Sequence, residues 1–400
     1  MASLRIGGTI PPMTALPLEF RLTALPPLAL YIHIPWCIKK CPYCDFNSHT
    51  LRDALPEARY IEALTRDLES ALPLIWGRGI HSIFFGGGTP SLFSAEAIDA
   101  ILSMVRTLTR LDHFAEITLE ANPGTVEAEK FAGFKAAGVN RLSLGVQSFD
   151  PGHLRALGRI HDDREAHRAV EIAASTFENF NLDLMYALPG QTLQQAKRDV
   201  ETALGYAPPH LSCYHLTLEP NTPFHAAPPP LPDDDLSADM QMMVETTLAS
   251  AGYLHYETSA FARPQHQCRH NLNYWRFGDY LGIGAGAHGK LSFHDRIVRQ
   301  MRHKHPREYM EHALAGNPIQ SEQAVARADL PFEFMMNALR LTDGFDTALF
   351  TERTGLPITA AQTALDEAER RGLIVRDHVR IVPTQTGRRF LNDLLGLFLP

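Results

Sequence analysis

The chain has 400 residues, 45% hydrophobic and 20% charged, enough for two domains or one barrel with an appendage around a core of ordinary size. A net charge of −8 excludes a general polyanion binder, so no nucleic-acid partner is expected. Five cysteines make no disulfide framework and fit a cytoplasmic compartment, and no apolar run long enough for a transmembrane segment or a secretion signal is apparent.

Residues 1–28 carry Pro11, Pro12, Pro17, Pro26 and Pro27 and read as a loose lead-in. Strand-like and helix-like runs then alternate. Ala29–Ile34 is apolar and β-branched, and Tyr60, Ile61, Leu64, Leu68, Leu72 and Ile75 follow at helical spacing. His81–Phe85 is a second strand, and Ser94 can cap a helix burying Ile98, Ile101, Leu102, Val105 and Leu108. Glu116–Leu119 is a third strand, followed by a helix over Thr125–Ala137 that Gly138 stops. Asn140–Leu144, Phe180–Tyr186 and Leu211–Leu218 complete six strands, with helices over Arg164–Phe177 and Leu193–Leu204 between them.

Such alternation predicts an α/β fold with a parallel sheet. Six units without a Rossmann start predict a partial (β/α)6 TIM-like barrel over residues 29–260, its functional residues at the C-terminal strand ends. A Pro-rich stretch with Asp233–Asp235 marks a boundary or surface loop before a helix over Ala238–Ala249. Residues 261–328 form a motif-bearing connection. Residues 329–400 read as a smaller C-terminal α+β domain of winged-helix pattern, without the basic stripe of a DNA reader.

The first strand runs into Cys37, Cys41 and Cys44, spaced C-x3-C-x2-C. Three thiolates on one loop can hold three irons of a four-iron cubane and leave the fourth open to a small molecule. The plainer alternative is a structural zinc ion with His33 or His49 as fourth ligand. Tyr43, an aromatic beside the third cysteine, can lie against a purine ring. Gly86, Gly87 and Gly88, followed by Thr89 and Pro90, give either a tight turn or a backbone that a ligand approaches closely. The run Gly284–Gly289 matches G-x-G-x-x-G, but Lys290–Val298 does not read as an amphipathic helix and the preceding segment is no clear strand, so a dinucleotide site is rejected. Cys213 reads as a core thiol; Cys268, two residues before His270, could reach an iron but reads better as a small buried thiol.

Taken together, the cysteine motif with its aromatic, Gly-Gly-Gly-Thr-Pro and Glu120 on a strand end resemble the radical SAM superfamily. Tyr-Ile-His-Ile-Pro-Trp-Cys, Leu119–Gly124, Arg141–Phe149 and Asn181–Gln191 narrow the resemblance to the oxygen-independent coproporphyrinogen oxidase group, from about Leu28 to near the C-terminus. The resemblance implies a [4Fe-4S] cluster on the three cysteines and S-adenosylmethionine on its open iron. Tyr31, Gly87 and Glu120 fall where the family contacts that molecule, and Gly88, Thr89, Gln147, Arg159 and Asp183 where it contacts a second one; Tyr43, by its ring, and Gly86, by its bare backbone, are placed at the same S-adenosylmethionine site.

One departure matters. The oxidases carry a fourth cysteine where this chain has Phe46, and the motif His270-Asn-Leu-Asn-Tyr274-Trp275 matches H-N-x-x-Y-W. Both features resemble the sister group of heme chaperones. That resemblance implies heme at His270, Tyr274 and Trp275, heme donors and membrane-associated cytochrome acceptors, a peripheral visit to the inner membrane, and a homodimer. No catalytic residue is singled out, and enzyme activity is left open beside the chaperone reading.

Overall fold

The computed structural model of the protein describes residues 22–125 and 127–399, so the proline-rich lead-in up to residue 21 lies outside the described residues. All six expected strands form: β1 (Leu28–Ile34), β2 (Gly79–Gly87), β3 (Arg110–Ala121), β4 (Arg141–Gln147), β5 (Phe180–Tyr186) and β6 (His210–His215). Each pairs in parallel with the next. β3 starts well before the expected Glu116, and β6 ends at His215, short of the expected Leu218.

The intervening helices are α1 (Glu57–Ile75), α2 (Ala95–Leu108), α3 (Ala128–Ala137), α4 (Asp163–Thr176) and α5 (Leu193–Gly205). Their ends follow local chemistry. Ser94 accepts from the Ala97 N–H to start α2, and Gly138 ends α3 at φ 111°. Reciprocal capping boxes, Asp162 with Glu165 and Thr192 with Gln195, start α4 and α5.

Strand periodicity separates two environments. On β4, Leu142, Leu144 and Val146 join the hydrophobic core, while Arg141, Ser143, Gly145 and Gln147 face an internal cavity. β5 repeats this with Leu182 and Leu184 in the core and Asn181, Asp183 and Met185 facing inward.

The sheet continues past the six strands. After α6 (Asp234–Ser250) come β7 (Leu254–Glu257), β8 (Ala260–Ala262), α7 (Arg269–Trp275), β9 (Asp279–Ile283), β10 (His288–Ser292), β11 (Ile297–Arg302), α8 (Pro306–Leu314) and β12 (Ile319–Ala324). The twelve strands lie in the order β12-β11-β10-β9-β1-β2-β3-β4-β5-β6-β8-β7. β9 pairs in parallel with β1 and adds a seventh parallel strand.

This corrects the reading of the segment before Gly284, which is a buried strand. Asp279 disguised it. That carboxylate is buried, and it is paired with Lys290 at 2.8 Å and Arg78 at 2.9 Å, so an acidic residue sits inside a strand. At Gly284, with φ 103°, a Cβ would lie 2.4 Å from the His33 carbonyl, so the glycine serves the close approach of β9 to β1. A strand follows it, not a helix, and no helix N-terminus is offered to a dinucleotide there.

The C-terminal residues build their own core from Phe334, Phe350, Leu365 and Ile381, carried by α9 (Leu330–Ala338), α10 (Thr347–Thr354), α11 (Gln362–Arg370) and a three-stranded sheet. Phe277 and Ile297 join this core from the barrel side.

Candidate functional site

A cavity of about 650 Å³ runs inside the partial barrel. Cys37, Cys41, Tyr43 and Cys44 line it at the C-terminal strand ends, together with Gly87, Gly88, Thr89, Glu120, Gln147, Arg159 and Asp183. Tyr31 and Gly86 stand just behind this wall. The Tyr31 hydroxyl and His33 Nδ1 are 3.0 Å apart, and a Cβ on Gly86 would lie 3.0 Å from the Tyr31 ring.

Each cysteine sulfur has a polar neighbour. Thr89 Oγ1 donates to Cys37 Sγ at 3.5 Å, Arg159 to Cys41 Sγ at 3.8 Å, and Ser48 Oγ lies 3.9 Å from Cys44 Sγ. Burial pushes the Cys37 and Cys44 thiols above the ordinary range, so both are protonated without a metal. Among the described residues, no three His, Cys, Asp or Glu side chains converge tightly enough to hold one metal ion. A tetrahedral zinc needs donors about 2.0–2.3 Å from one point, whereas a cubane spreads three sulfurs over three irons. The donor set fits the cluster: three thiols on one cavity wall, each beside a hydrogen-bond donor. His33 is not free for zinc, because its ring is sandwiched between the Tyr31 hydroxyl and the Asn47 carbonyl at 2.8 Å.

The glycine run has a structural reason. A Cβ on Gly87 would meet the His33 ring at 2.4 Å, and one on Gly88 the Trp36 carbonyl at 2.5 Å. The Gly88 and Thr89 amides donate to the Ile34 and Trp36 carbonyls, both at 2.7 Å. The run therefore locks β2 against the cysteine loop. Its remaining amide, that of Gly87, points at Glu120 Oε2 at 3.3 Å.

Glu120 is the electrostatic centre of this end. Burial, then the neighbouring Asp183, push its carboxyl up to about 8, with the Gly87 amide opposing. Burial raises Asp183 too, against hydrogen bonds from Asn181 and Ser143. Among the described residues these two partly buried acids have no ion pair, and they fit a cationic ligand such as an ammonium or sulfonium group. Arg159 is no surface charge. It donates to Tyr43 Oη at 3.5 Å, to the Gly145 carbonyl at 2.8 Å and to Asn122 Oδ1, and so ties the cysteine loop to β4. Tyr43 packs near Phe224, with ring centroids 6.4 Å apart.

The opposite, closed end is built around α7. Glu116 of β3 accepts from the Arg269 and His270 amides at 3.2 and 3.0 Å and from the Cys268 thiol, placing a carboxylate at the helix N-terminus. Asn271 faces the cavity, and His270 does not. His270 is 2% exposed; its Nδ1 lies 3.1 Å from Ser82 Oγ, and its Nε2 has no partner. Burial lowers it to about 3, so the imidazole is neutral. Tyr274 stacks on Tyr280 at 4.1 Å, and the Arg340 guanidinium lies 4.3 Å from the Trp275 ring centroid. Each of these rings thus has one face covered by protein. Cys213 and Cys268 are buried, as expected.

Sequence reasoning missed Asn122, Arg141, Ser143, Asn181, Ser212, Asn271 and Arg340, all of which line the cavity. Part of the signal was present: polar residues alternate with apolar ones along β4 and β5.

A partial parallel barrel with three clustered thiols and a buried acid pair at its C-terminal mouth is the architecture of a radical SAM protein. The family model for the radical SAM superfamily matches residues 31–203, and the HemN C-terminal domain matches residues 325–390. Heme chaperone HemW of Escherichia coli (strain K12) is 50% identical over 382 residues, covering 94% of this chain and 100% of the relative. Heme chaperone HemW of Bacillus subtilis (strain 168) is 34% identical over 376 residues, covering 92% and 98%. The chain belongs to the HemW family within the radical SAM superfamily. Among solved structures, coproporphyrinogen III oxidase (HemN) from Escherichia coli superposes with a TM-score of 0.79 over 94% of this chain and 90% of that one. At 24% identity this likeness shows the fold. Among the described residues no helix is long and apolar enough to cross a membrane.

Proposed function

We propose that this protein is a heme carrier on a radical SAM scaffold. It binds a [4Fe-4S] cluster through Cys37, Cys41 and Cys44, S-adenosylmethionine in the adjoining cavity, and heme at the α7 end. It hands heme to acceptor hemoproteins such as membrane-associated respiratory cytochromes, working from the cytoplasm with a transient visit to the membrane surface and as a homodimer. One observation carries the reading: a single cavity joins the cysteine loop to the helix bearing His270-Asn-x-x-Tyr-Trp. The heme cargo follows the printed names of relatives at 50% identity.

When bound, a cluster of this type supplies one-electron chemistry and an open iron for an amino acid's amine and carboxylate. The chain's own groups do the holding. Thr89, Arg159 and Ser48 donate toward the sulfurs and stabilise them as thiolates. Glu120 and Asp183 receive positive charge, with Tyr31 and the glycine run buttressing Glu120 from behind. Tyr43 presents a ring to a purine.

His270 suits an iron in one respect, a neutral imidazole with Nε2 uncommitted. It is 2% exposed and packs against Phe84, with ring centroids 5.1 Å apart, so ligation of a heme there requires its covering side chains to move. The test is anaerobic reconstitution with iron and sulfide, then heme titration. One heme per chain, with a Soret band altered by His270→Ala, is expected; absence of stoichiometric binding ends the proposal.

The second reading is an oxygen-independent coproporphyrinogen III oxidase, favoured by the fold shared with HemN. Against it stands Phe46, 62% exposed at the cavity wall where the oxidases carry a cysteine. Anaerobic conversion of coproporphyrinogen III to protoporphyrinogen would reverse the ranking.

A further inference from the structure

At the closed end of the cavity lies a guanidinium with nothing to hold. Arg141 opens β4, faces the cavity, and is 2% exposed. Among the described residues it makes no ion pair or hydrogen bond, and its buried Nε is unpartnered. Buried guanidinium groups are almost always paired, because desolvation without a partner is costly.

The neighbouring polar groups are committed elsewhere. Ser143 Oγ donates to Asp183 at 3.2 Å, and Asn181 Nδ2 donates to Ser143 Oγ and Asp183 Oδ1, both at 2.8 Å. Asn181 Oδ1 faces His210 Nδ1 and accepts from Ser212 Oγ. Glu116 serves the α7 amides. Glu116 and Asp183 act on Arg141 through space, so its charge is balanced at a distance while its donor fork is unused. Arg340 adds a second guanidinium to the same cavity; it holds Glu257 at 3.3 Å and leaves its own buried Nε unpartnered.

We propose that Arg141, assisted by Arg340, is a carboxylate-binding subsite on the cavity floor, taking the acid group of the ligand that fills the barrel. On the functional reading above, on which this rests, that group is a tetrapyrrole propionate; the aminoacyl carboxylate of a second S-adenosylmethionine has the same chemistry. A planar fork meeting a carboxylate bidentately in a water-poor site accounts for both the burial and the absence of a protein partner.

The test uses the full chain, reconstituted anaerobically. Iron mesoporphyrin and its dimethyl ester are titrated by Soret absorbance, and S-adenosylmethionine by equilibrium dialysis, for the wild type, Arg141→Gln and Arg141→Lys. The wild type is expected to bind the diacid at least about tenfold more tightly than the ester, as for loss of a charge-assisted pair. Arg141→Gln should bind diacid and ester alike with S-adenosylmethionine unaffected, and Arg141→Lys, which keeps the charge but not the fork, should recover only part of the preference. Loss of one equivalent of S-adenosylmethionine in Arg141→Gln, with ester and diacid bound alike by the wild type, supports the subsite and assigns it to the nucleoside. If the wild type takes up neither tetrapyrrole, the functional reading fails and the dialysis arm alone decides the subsite. Equal binding of acid and ester together with unchanged S-adenosylmethionine stoichiometry in Arg141→Gln overturns it. The wild-type acid–ester comparison needs no variant to fold.

Discussion

The two ends of the cavity are built on opposite plans. At the cysteine end, Cys37, Cys41 and Cys44 are half-buried thiols on a loop, and Glu120 and Asp183 are neighbouring acids that, among the described residues, have no ion pair, Arg141 acting on Asp183 only through space. At the α7 end, strand residues satisfy one another in a closed network running from Ser143 through Asn181 to His210 and Tyr256. The first end is left for ligands to complete, and the second is largely completed by the protein, with Arg141, Arg340 Nε and His270 Nε2 left over. On the proposed reading, the end that takes a cofactor carries its sulfur donors on a loop beyond the strand ends. A site that shapes a floor places its polar groups on strands, where packing fixes their geometry.

Experiments that break this contrast are ordered here by expected effect. Replacing Cys37, Cys41 and Cys44 with Ala removes every sulfur donor at the mouth. The brown colour of the reconstituted protein, with absorbance near roughly 400 nm typical of thiolate-held clusters, should vanish completely while the fold persists in far-UV circular dichroism. A coloured triple variant would refute the cluster assignment.

Glu120→Gln should cost most of the S-adenosylmethionine affinity measured by dialysis, and its pH signature is specific. A bound cation requires ionised Glu120, whose carboxyl sits at about 8, so wild-type affinity should fall by up to about tenfold per pH unit below that value. For stability the sign is opposite. The group is raised above its ordinary 4.5, so its contribution is intact below about pH 4.5 and is lost as pH rises through about 8. Glu120→Gln should therefore melt higher than the wild type at pH 9 and equally at pH 4. Identical melting differences at both values would show that Glu120 carries no buried charge.

Arg159→Leu cuts the tie between the cysteine loop and β4, leaving Asn122 Oδ1 and the Gly145 carbonyl without their donor. Destabilisation of about 1–3 kcal/mol is expected from urea unfolding, with faster loss of cluster colour in air. A colour half-life equal to that of the wild type would mean that Arg159 does not hold the loop. The smallest effect belongs to Phe46→Cys. An exposed side chain contributes within about 0.5 kcal/mol of stability, and restoring the oxidase's cysteine should produce no coproporphyrinogen turnover. Turnover in that variant would make the mouth, not the floor, the determinant of activity.

Much of this was legible in the chain itself. The six parallel strands and their helices followed from apolar runs, caps and Gly138, because each is a local signal. The cysteine loop, Gly87, Gly88, Thr89, Glu120, Gln147, Arg159 and Asp183 were named in advance and line one cavity. β9 was not legible, since Asp279 looks like a loop residue until Lys290 and Arg78 are seen beside it. The glycine run was half-legible: its lack of side chains was plain, but the neighbours requiring it, His33 and Trp36, lie on the other side of a sheet contact.

The amino-acid order alone determined the alternation of strand and helix, the cluster of sulfur donors and the family motifs, because these depend on neighbours a few residues apart. Only the tertiary structure decided which polar residues meet inside the barrel. It turned Arg159 inward to the cysteine loop, put Glu116 at the start of α7 and left Arg141 unpaired over the cavity floor. Whether a buried charge is satisfied depends on groups brought together across strands, and no spacing in the chain records that distance.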